Sequence, residues 1–307
     1  MSRPLRLEFS GAVYHITARA NARQQLFTNI ADGNQFLNFL AREIQQHRWI
    51  CHAYCLLEDH YHLVLETPEP NLGRGMGRLN MAYSQWFGRQ YDQRGHLFYG
   101  RYKSIILQKE RHLLEVCRHV VLKPVRLQAV NRVDHWRWSS YQGFDSEQPA
   151  WLHREWLRNQ IGSGKAWHEY VEKGLGAPSP WENLRAGHYL GDETFLEDIA
   201  ERIRGLPLDQ VAAKVADPTR PTPDKVMQSV AHASGTLMEV LLDRKADPAA
   251  FKATVYLLRR ASNLPLKEVA TMAGVSQGRI SQIQRSIENQ GGIGSAFPWG
   301  SGLTYLL

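Results

Sequence analysis

The sequence predicts an α+β protein in three parts: a ferredoxin-like sheet domain over 1–131, a tryptophan-rich helical extension over 132–215, and an all-α helix-turn-helix domain over 216–290. A glycine-rich tail over 291–307 follows. Three observations predict this. Apolar patterns of period two and of helical period succeed one another in the first part, in the order β-α-β-β-α-β-α. Tryptophans concentrate from Trp136 to Trp181 while the periodicity fades. The apolar patterns beyond a proline-rich hinge are helical.

The first part can be justified element by element. Val13 to Ala18 alternates apolar and polar residues, as a half-buried strand does. Phe36, Leu37, Phe39, Leu40 and Ile44 form a helical stripe. Ile50 to Leu57 and Tyr61 to Glu66 read as two strands of a hairpin around Glu58-Asp59-His60. A second helix is expected from about Leu79 to Tyr91, and a short strand from Tyr102 to Gln108. Arg111 to Lys123 forms a third helix with Leu113, Leu114, Cys117, Val120 and Val121 on its apolar face, stopped by Pro124. This order implies a ferredoxin-like sheet with its helices on one face. Trp136, Trp138, Trp151, Trp156, Trp167 and Trp181 are expected to fasten short helices onto this domain by core packing rather than to stack on bases. The segment Ala216 to Pro223 is a proline-rich hinge. The tail from Gly291 is expected to be mobile near its start.

The chain has 307 residues and a net charge of +7. A basic balance permits nucleic-acid or anionic-surface partners. No apolar run is long enough for a membrane span, and Met1 to Arg6 lacks the apolar core of a signal peptide. Cys51, Cys55 and Cys117 lie in apolar runs and read as buried thiols of a reducing cytoplasm. Gly73, Gly75 and Gly77 suggest a phosphate loop but lack the Gly-Lys-Ser/Thr that would complete one.

Two features point to chemistry. His60 and His62 are one residue apart in a strand, so both imidazoles project from one face and make half of a metal site. The plainer reading of an isolated pair is two histidines satisfied by hydrogen bonds. Between residues 74 and 132, however, the basic side chains Arg74, Arg78, Arg101, Lys103, Arg118 and Lys123, among others, far outnumber the acids. Aromatics such as Tyr83, Trp86, Tyr99 and Tyr102 are interleaved with them. Charge combined with stacking surfaces is what single-stranded nucleic acid needs.

The second feature lies near the C-terminus. Leu264 to Ile283 has a small residue at Ala270, a turn glycine at Gly274 and apolar Val275 and Ile280. This spacing predicts a helix-turn-helix with Ser276 capping its second helix. Ser276, Gln277, Arg279 and Gln282 would face a major groove, and Arg285 a phosphate. An ordinary helical hairpin with a solvated face is the competing reading.

The motifs Tyr14-His15-Ile16-Thr17-Ala18-Arg19-Ala20-Asn21, Asp59-His60-Tyr61-His62, Leu97-Phe98-Tyr99-Gly100-Arg101-Tyr102-Lys103, Pro124-Val125-Arg126 and Trp138-Ser139-Ser140-Tyr141 follow in order. Together they resemble the IS200-type tyrosine transposases, in particular the branch associated with repetitive extragenic palindromes (REP). The C-terminal motif is similar to a DnaA-type helix-turn-helix. The resemblance implies a His-hydrophobic-His (HUH) endonuclease acting on single-stranded hairpin DNA. His60 and His62 would hold Mg²⁺ or Mn²⁺ against the scissile phosphate, and a tyrosine on the third helix would form a covalent phosphotyrosyl link. It also implies a carboxamide one turn beyond that tyrosine, on the same helix face. Monomers and dimers both fit it.

The sequence departs from this pattern where it matters most. His119 stands where the tyrosine is expected and Lys123 where the asparagine is expected, while the apolar helix face is intact. His119 has no phenolic hydroxyl, and Lys123 brings a positive charge to a cation's place. One expectation is therefore a transposase-derived protein that binds DNA with cleavage lost or weakened. The alternative is an active metal-dependent single-strand endonuclease that uses His119 or Tyr102 as a substitute nucleophile. A structural role without DNA is a third.

Overall fold

A computed structural model describes residues 7–21, 24–142, 144, 149–204, 219–262 and 264–307. Met1 to Arg6, and residues 216–218 of the proline-rich hinge with its boundary at 215, lie outside the described residues. The chain forms two compact units, Met1–Asp198 and Ile199–Leu307.

The first unit is built on strands β1 (Ala12–Arg19), β2 (Ile50–Leu57), β3 (His60–Thr67), β4 (Lys103–Leu107) and β5 (Tyr189–Leu190). Its helices are α1 (Ile30–His47), α2 (Leu72–Gln90), α3 (Lys109–Val121), α4 (Lys123–Arg126), α5 (Glu155–Ile161) and α6 (Gly164–Lys173). The sheet order is β2-β3-β1-β4-β5. The first four strands pair antiparallel, in the ferredoxin-like arrangement, and β5 joins β4 in parallel. Helix α7 (Glu193–Arg204) crosses the boundary between the units.

The expectation of helices on one face is corrected: they cover both. Phe36 of α1 and Tyr83 of α2 pack with Tyr61 on one side. Leu113, Val116, Cys117 and Val120 of α3 pack with Val13, Ala53, Cys55 and Val64 on the other. Burial of β2 on both faces explains this, since a sheet apolar on both sides needs two covers. Tyr61 faces the α1–α2 side, and period two sends His60 and His62 to the α3 side.

Two helix boundaries also differ from expectation. Helix α2 starts at Leu72, so Gly73, Gly75 and Gly77 are helical. Gly75 has a packing reason, because a Cβ there would collide with the Trp49 ring. Pro124 does not stop the chain of helical turns. It sits in the first turn of α4, where its missing N–H costs nothing.

The stretch after Arg132 shares the α3-side core. Trp167 is fully buried, stacked on Phe144 at 5.4 Å, and Val133, Tyr141, Leu157 and Val171 join the same cluster. The Trp136 indole donates to the Leu56 carbonyl at 2.9 Å. Cys51, Cys55 and Cys117 are free, buried thiols. Burial pushes the Cys51 thiol up to about 12, so it stays protonated.

The second unit is helical among its described residues: α8 (Pro223–Ser234), α9 (Pro248–Arg260), α10 (Leu266–Met272), α11 (Gln277–Asn289) and α12 (Ile293–Ala296). Its core is α9, with Val255, Leu257 and Leu258 packed against Val230, Val269, Ile280 and Ile283. The tail, expected to be mobile at its start, is instead helical in part and buries Ile293, Leu303 and Leu306 in this core. Those apolar side chains outweigh the permissive glycines around them. Among the described residues no helix is long and apolar enough to cross a membrane.

Candidate functional site

The site forms on the α3 side of the sheet, in two rows set by strand register. His60 stands opposite Arg19, and His62 opposite Thr17, which in turn stands opposite Lys103. Cys55 of β2 flanks His62. His15, two residues before Thr17, lies on the same face and is buried.

Hydrogen bonds fix the imidazoles. His60 Nδ1 lies 2.5 Å from Asp59 Oδ1, and Asp59 Oδ2 accepts from Arg19 at 2.7 and 2.9 Å. Burial alone would raise the Asp59 carboxyl, but the bonds from His60 and Arg19 outweigh it and hold the group ionised. The carboxylate fixes the His60 ring through its Nδ1. His62 Nδ1 is 3.0 Å from His15 Nε2, and the two rings stack at 5.2 Å. The buried Nε2 of His62 has no hydrogen-bond partner.

Helix α3 and its continuation bring the other half. His119 is buried near the end of α3. Arg126 Nη1 lies 2.6 Å from His119 Nδ1, and the Trp181 indole N–H points at His119 Nε2 from 3.1 Å. Trp181 also stacks on His15 at 4.7 Å, so one indole closes over both histidines. It comes from a short 3-10 turn, Pro180–Asn183, held by a capping box from Ser179. Arg126 ties down the approach to that turn by donating to the Gly174 and Ala177 carbonyls.

Burial and the cations Lys123 and Arg126 set the electrostatics of this cluster. Burial and then the Lys123 charge push His15 and His119 down to about 3, and both rings are neutral. His62 is lowered by burial, its neighbouring imidazoles and Lys123. Lys123 is itself half-buried, and burial and then Arg126 lower its affinity for its proton.

Mg²⁺ or Mn²⁺ does not fit these residues. The unpartnered His62 nitrogen has the character of a ligand atom. Yet both Asp59 oxygens are committed to His60 and Arg19. Among the described residues no three His, Cys, Asp or Glu side chains are grouped to hold a metal ion. Hard dications want several oxygens, and this pocket offers imidazole nitrogens and an ammonium.

The sequence-predicted residues divide three ways. His60, His62, His119 and Lys123 are brought together, and Lys103 shares the row of His62. Tyr102 is not: it is buried, and its hydroxyl lies 3.8 Å from where a Gly73 Cβ would stand, toward α2. Arg74 and Arg78 are also on α2, with Arg78 3.4 Å from Glu43. Arg118 has its guanidinium over the Tyr170 ring at 4.3 Å, and Arg101 is exposed in the loop before β4. In the second unit Ser276 caps α11, accepting from Arg279 N at 3.2 Å. Ser276, Gln277, Arg279, Gln282 and Arg285 are exposed, opposite buried Ile280, Ile283 and Ile287. Gly274 turns the chain between α10 and α11 at φ +61°. Sequence reasoning missed Trp181 and Arg126 as site residues. Arg126 stands one helical turn beyond Lys123 and carried a faint signal, but Trp181 carried none.

Residues 8–121 match the family model described as "Transposase IS200 like". The match covers β1 to β4 and α1 to α3, and includes the paired histidines and His119. Over those residues, about a third of the chain, the first unit is similar to that family. A solved structure described as "Structure of the REP associates tyrosine transposase bound to a REP hairpin" is similar to 50% of this chain and 98% of its own, at 15% identity and a TM-score of 0.41. No curated protein matches the chain.

Proposed function

We propose that this protein binds DNA through an IS200-like transposase domain whose strand-cleaving chemistry is lost or severely weakened. The observation that carries this reading is the environment of His119. Both of its ring nitrogens face groups that can only donate, the Arg126 guanidinium and the Trp181 indole. A neutral imidazole has one N–H and one lone pair. If Arg126 takes Nδ1, the proton sits on Nε2; if Trp181 takes Nε2, the proton sits on Nδ1. Either tautomer leaves no lone pair to attack phosphorus.

Lys123 supports the same conclusion. Its ammonium shares the pocket of His62 and supplies a fixed positive charge suited to a phosphate. Single-stranded hairpin DNA is the ligand proposed for the first unit. The exposed Ser276, Gln277, Arg279 and Gln282 face of α11 is proposed to read duplex DNA as a helix-turn-helix. One observation favours the alternative, an active endonuclease with a substitute nucleophile: His62 keeps a buried, unpartnered Nε2.

The test uses labelled single-stranded DNA carrying a palindromic hairpin, incubated with the protein and Mn²⁺ and run on native and denaturing gels. The expected result is a shifted band with an intact strand. A cleaved strand with a covalent adduct at His119 or Tyr102, abolished by His60→Ala, would overturn the reading.

A further inference from the structure

Strand register carries an exposed tyrosine to the paired histidines. Phe98 stands opposite Ala20 in an antiparallel bridge. On either side of it, Asn21 N donates to Leu97 O at 2.7 Å and Tyr99 N donates to Arg19 O at 2.8 Å. Tyr99 is therefore opposite Arg19, which on its other side is opposite His60. Residues directly opposite share a face of the sheet, so His60, Arg19 and Tyr99 make one row. The next row is His62, Thr17 and Lys103. The chain from Tyr99 to Lys103 is longer than the stretch of β1 it faces, and Gly100 at φ +68° begins the bulge that absorbs the excess. Flanking residues agree with this orientation. The Phe98 ring lies 6.1 Å from Tyr61 on the α1–α2 side, and Ile105, two residues past Lys103, packs on the α3-side core.

Tyr99 is 74% exposed. Arg101 and Lys103 beside it are exposed as well. Arg19 is committed to Asp59, so it spaces the row and adds little net charge. A large ring left in water gains nothing for the fold. It does present a flat apolar surface of the size of a nucleobase next to cations suited to phosphates.

We infer that Tyr99 is a stacking platform for an unpaired nucleobase of a DNA strand crossing the paired-histidine face, with Lys103 holding a phosphate beside it. The inference rests on the reading of this chain as a DNA-binding protein. The occupant is a single strand because bases inside a duplex already have both faces covered by their neighbours, and only an unpaired base can offer one to a side chain.

The experiment measures affinity by fluorescence anisotropy, using the full chain and a hairpin with or without a single-stranded overhang. Tyr99→Ala is expected to weaken the overhang DNA roughly tenfold and to leave the blunt hairpin unchanged, while Tyr99→Phe keeps wild-type affinity. The slope of log affinity against log salt should be the same for Tyr99→Ala as for wild type and smaller by about 0.7 for Lys103→Ala. Abasic sites walked along the overhang should reveal one position where wild type drops to the Tyr99→Ala level and the variant loses nothing further. Equal weakening of both DNAs, no weakening, or no such position overturns the inference while leaving DNA binding standing. If the wild type binds neither DNA, both the inference and the function it rests on fall.

Discussion

Two polar clusters lie on the α3 side of the same sheet and differ in how their charges are met. At one end Glu66 accepts from His52 Nε2 at 2.9 Å and from Lys109 Nζ at 2.7 and 2.9 Å. The bulge between Cys51 and Ala53 brings His52 to it. Each charge has its opposite, and the cluster ties β2 and β3 to the start of α3. At the other end His15, His62, His119 and Lys123 gather, while the Asp59 carboxylate next to His60 is occupied by Arg19 and His60. Burial keeps the imidazoles neutral, and the groups that act on the Lys123 charge are the Arg126 guanidinium and the Cys55 thiol, which burial keeps protonated and so uncharged. Matched charges stabilise a fold. An unmatched cation that is half-buried costs stability and persists where a ligand supplies the opposite charge.

The largest expected effect comes from breaking the matched cluster. Glu66→Gln leaves Lys109 and His52 without their acid and should lower stability by about 3 kcal/mol in urea denaturation at neutral pH. A loss near zero would remove the structural role assigned to this end. The same carboxylate shapes the acid limb. Burial raises its proton affinity, but the bonds from His52 and Lys109 outweigh that and hold it below the usual range. As pH falls, the unfolded chain therefore takes up the proton first. The contribution of Glu66 is present above the ordinary carboxylate pKa of about 4.3 and is lost as pH drops through the lower folded value. The gap between wild type and Glu66→Gln should narrow in acid; a constant gap would contradict the linkage.

A middle-sized effect is expected at the indole that closes the unmatched cluster. Trp181→Ala removes its contacts with His15 and His119 and should cost about 2 kcal/mol, less than a fully buried tryptophan because Trp181 is half-buried. Unchanged stability would mean that the turn rests on the pocket without supporting it. The smallest effect has the opposite sign. Lys123→Met keeps the apolar stem and removes the charge, so stability should rise by about 1 kcal/mol while affinity for single-stranded DNA falls. A destabilised variant would show that Lys123 has a structural partner, and the contrast between the two ends would collapse.

Much of this architecture could be read from short windows of sequence. The alternation from Val13 to Ala18 and from Tyr61 to Glu66 set the strands, and the same period put His60 and His62 on one face. The apolar stripe of α3 left His119 and Lys123 together on its other side, where the structure has them. In the second unit the spacing of Ala270, Gly274, Val275 and Ile280 anticipated a turn between α10 and α11, and Ser276 caps the second helix. The start of α2 was obscured by Gly73, Gly75 and Gly77, whose low helix propensity is overridden by packing as close as Trp49 against Gly75.

What the sequence determined by itself was the local periodicity, and with it the element types and the face on which each histidine stands. What only the tertiary structure decided was which distant residues meet on those faces. It put α3 opposite α1 and α2, sent Tyr102 away from the histidines, set Tyr99 in the row of Arg19 and His60, and closed Trp181 over His119. Such meetings depend on how whole elements fill space against one another, and no window along the chain is long enough to record that.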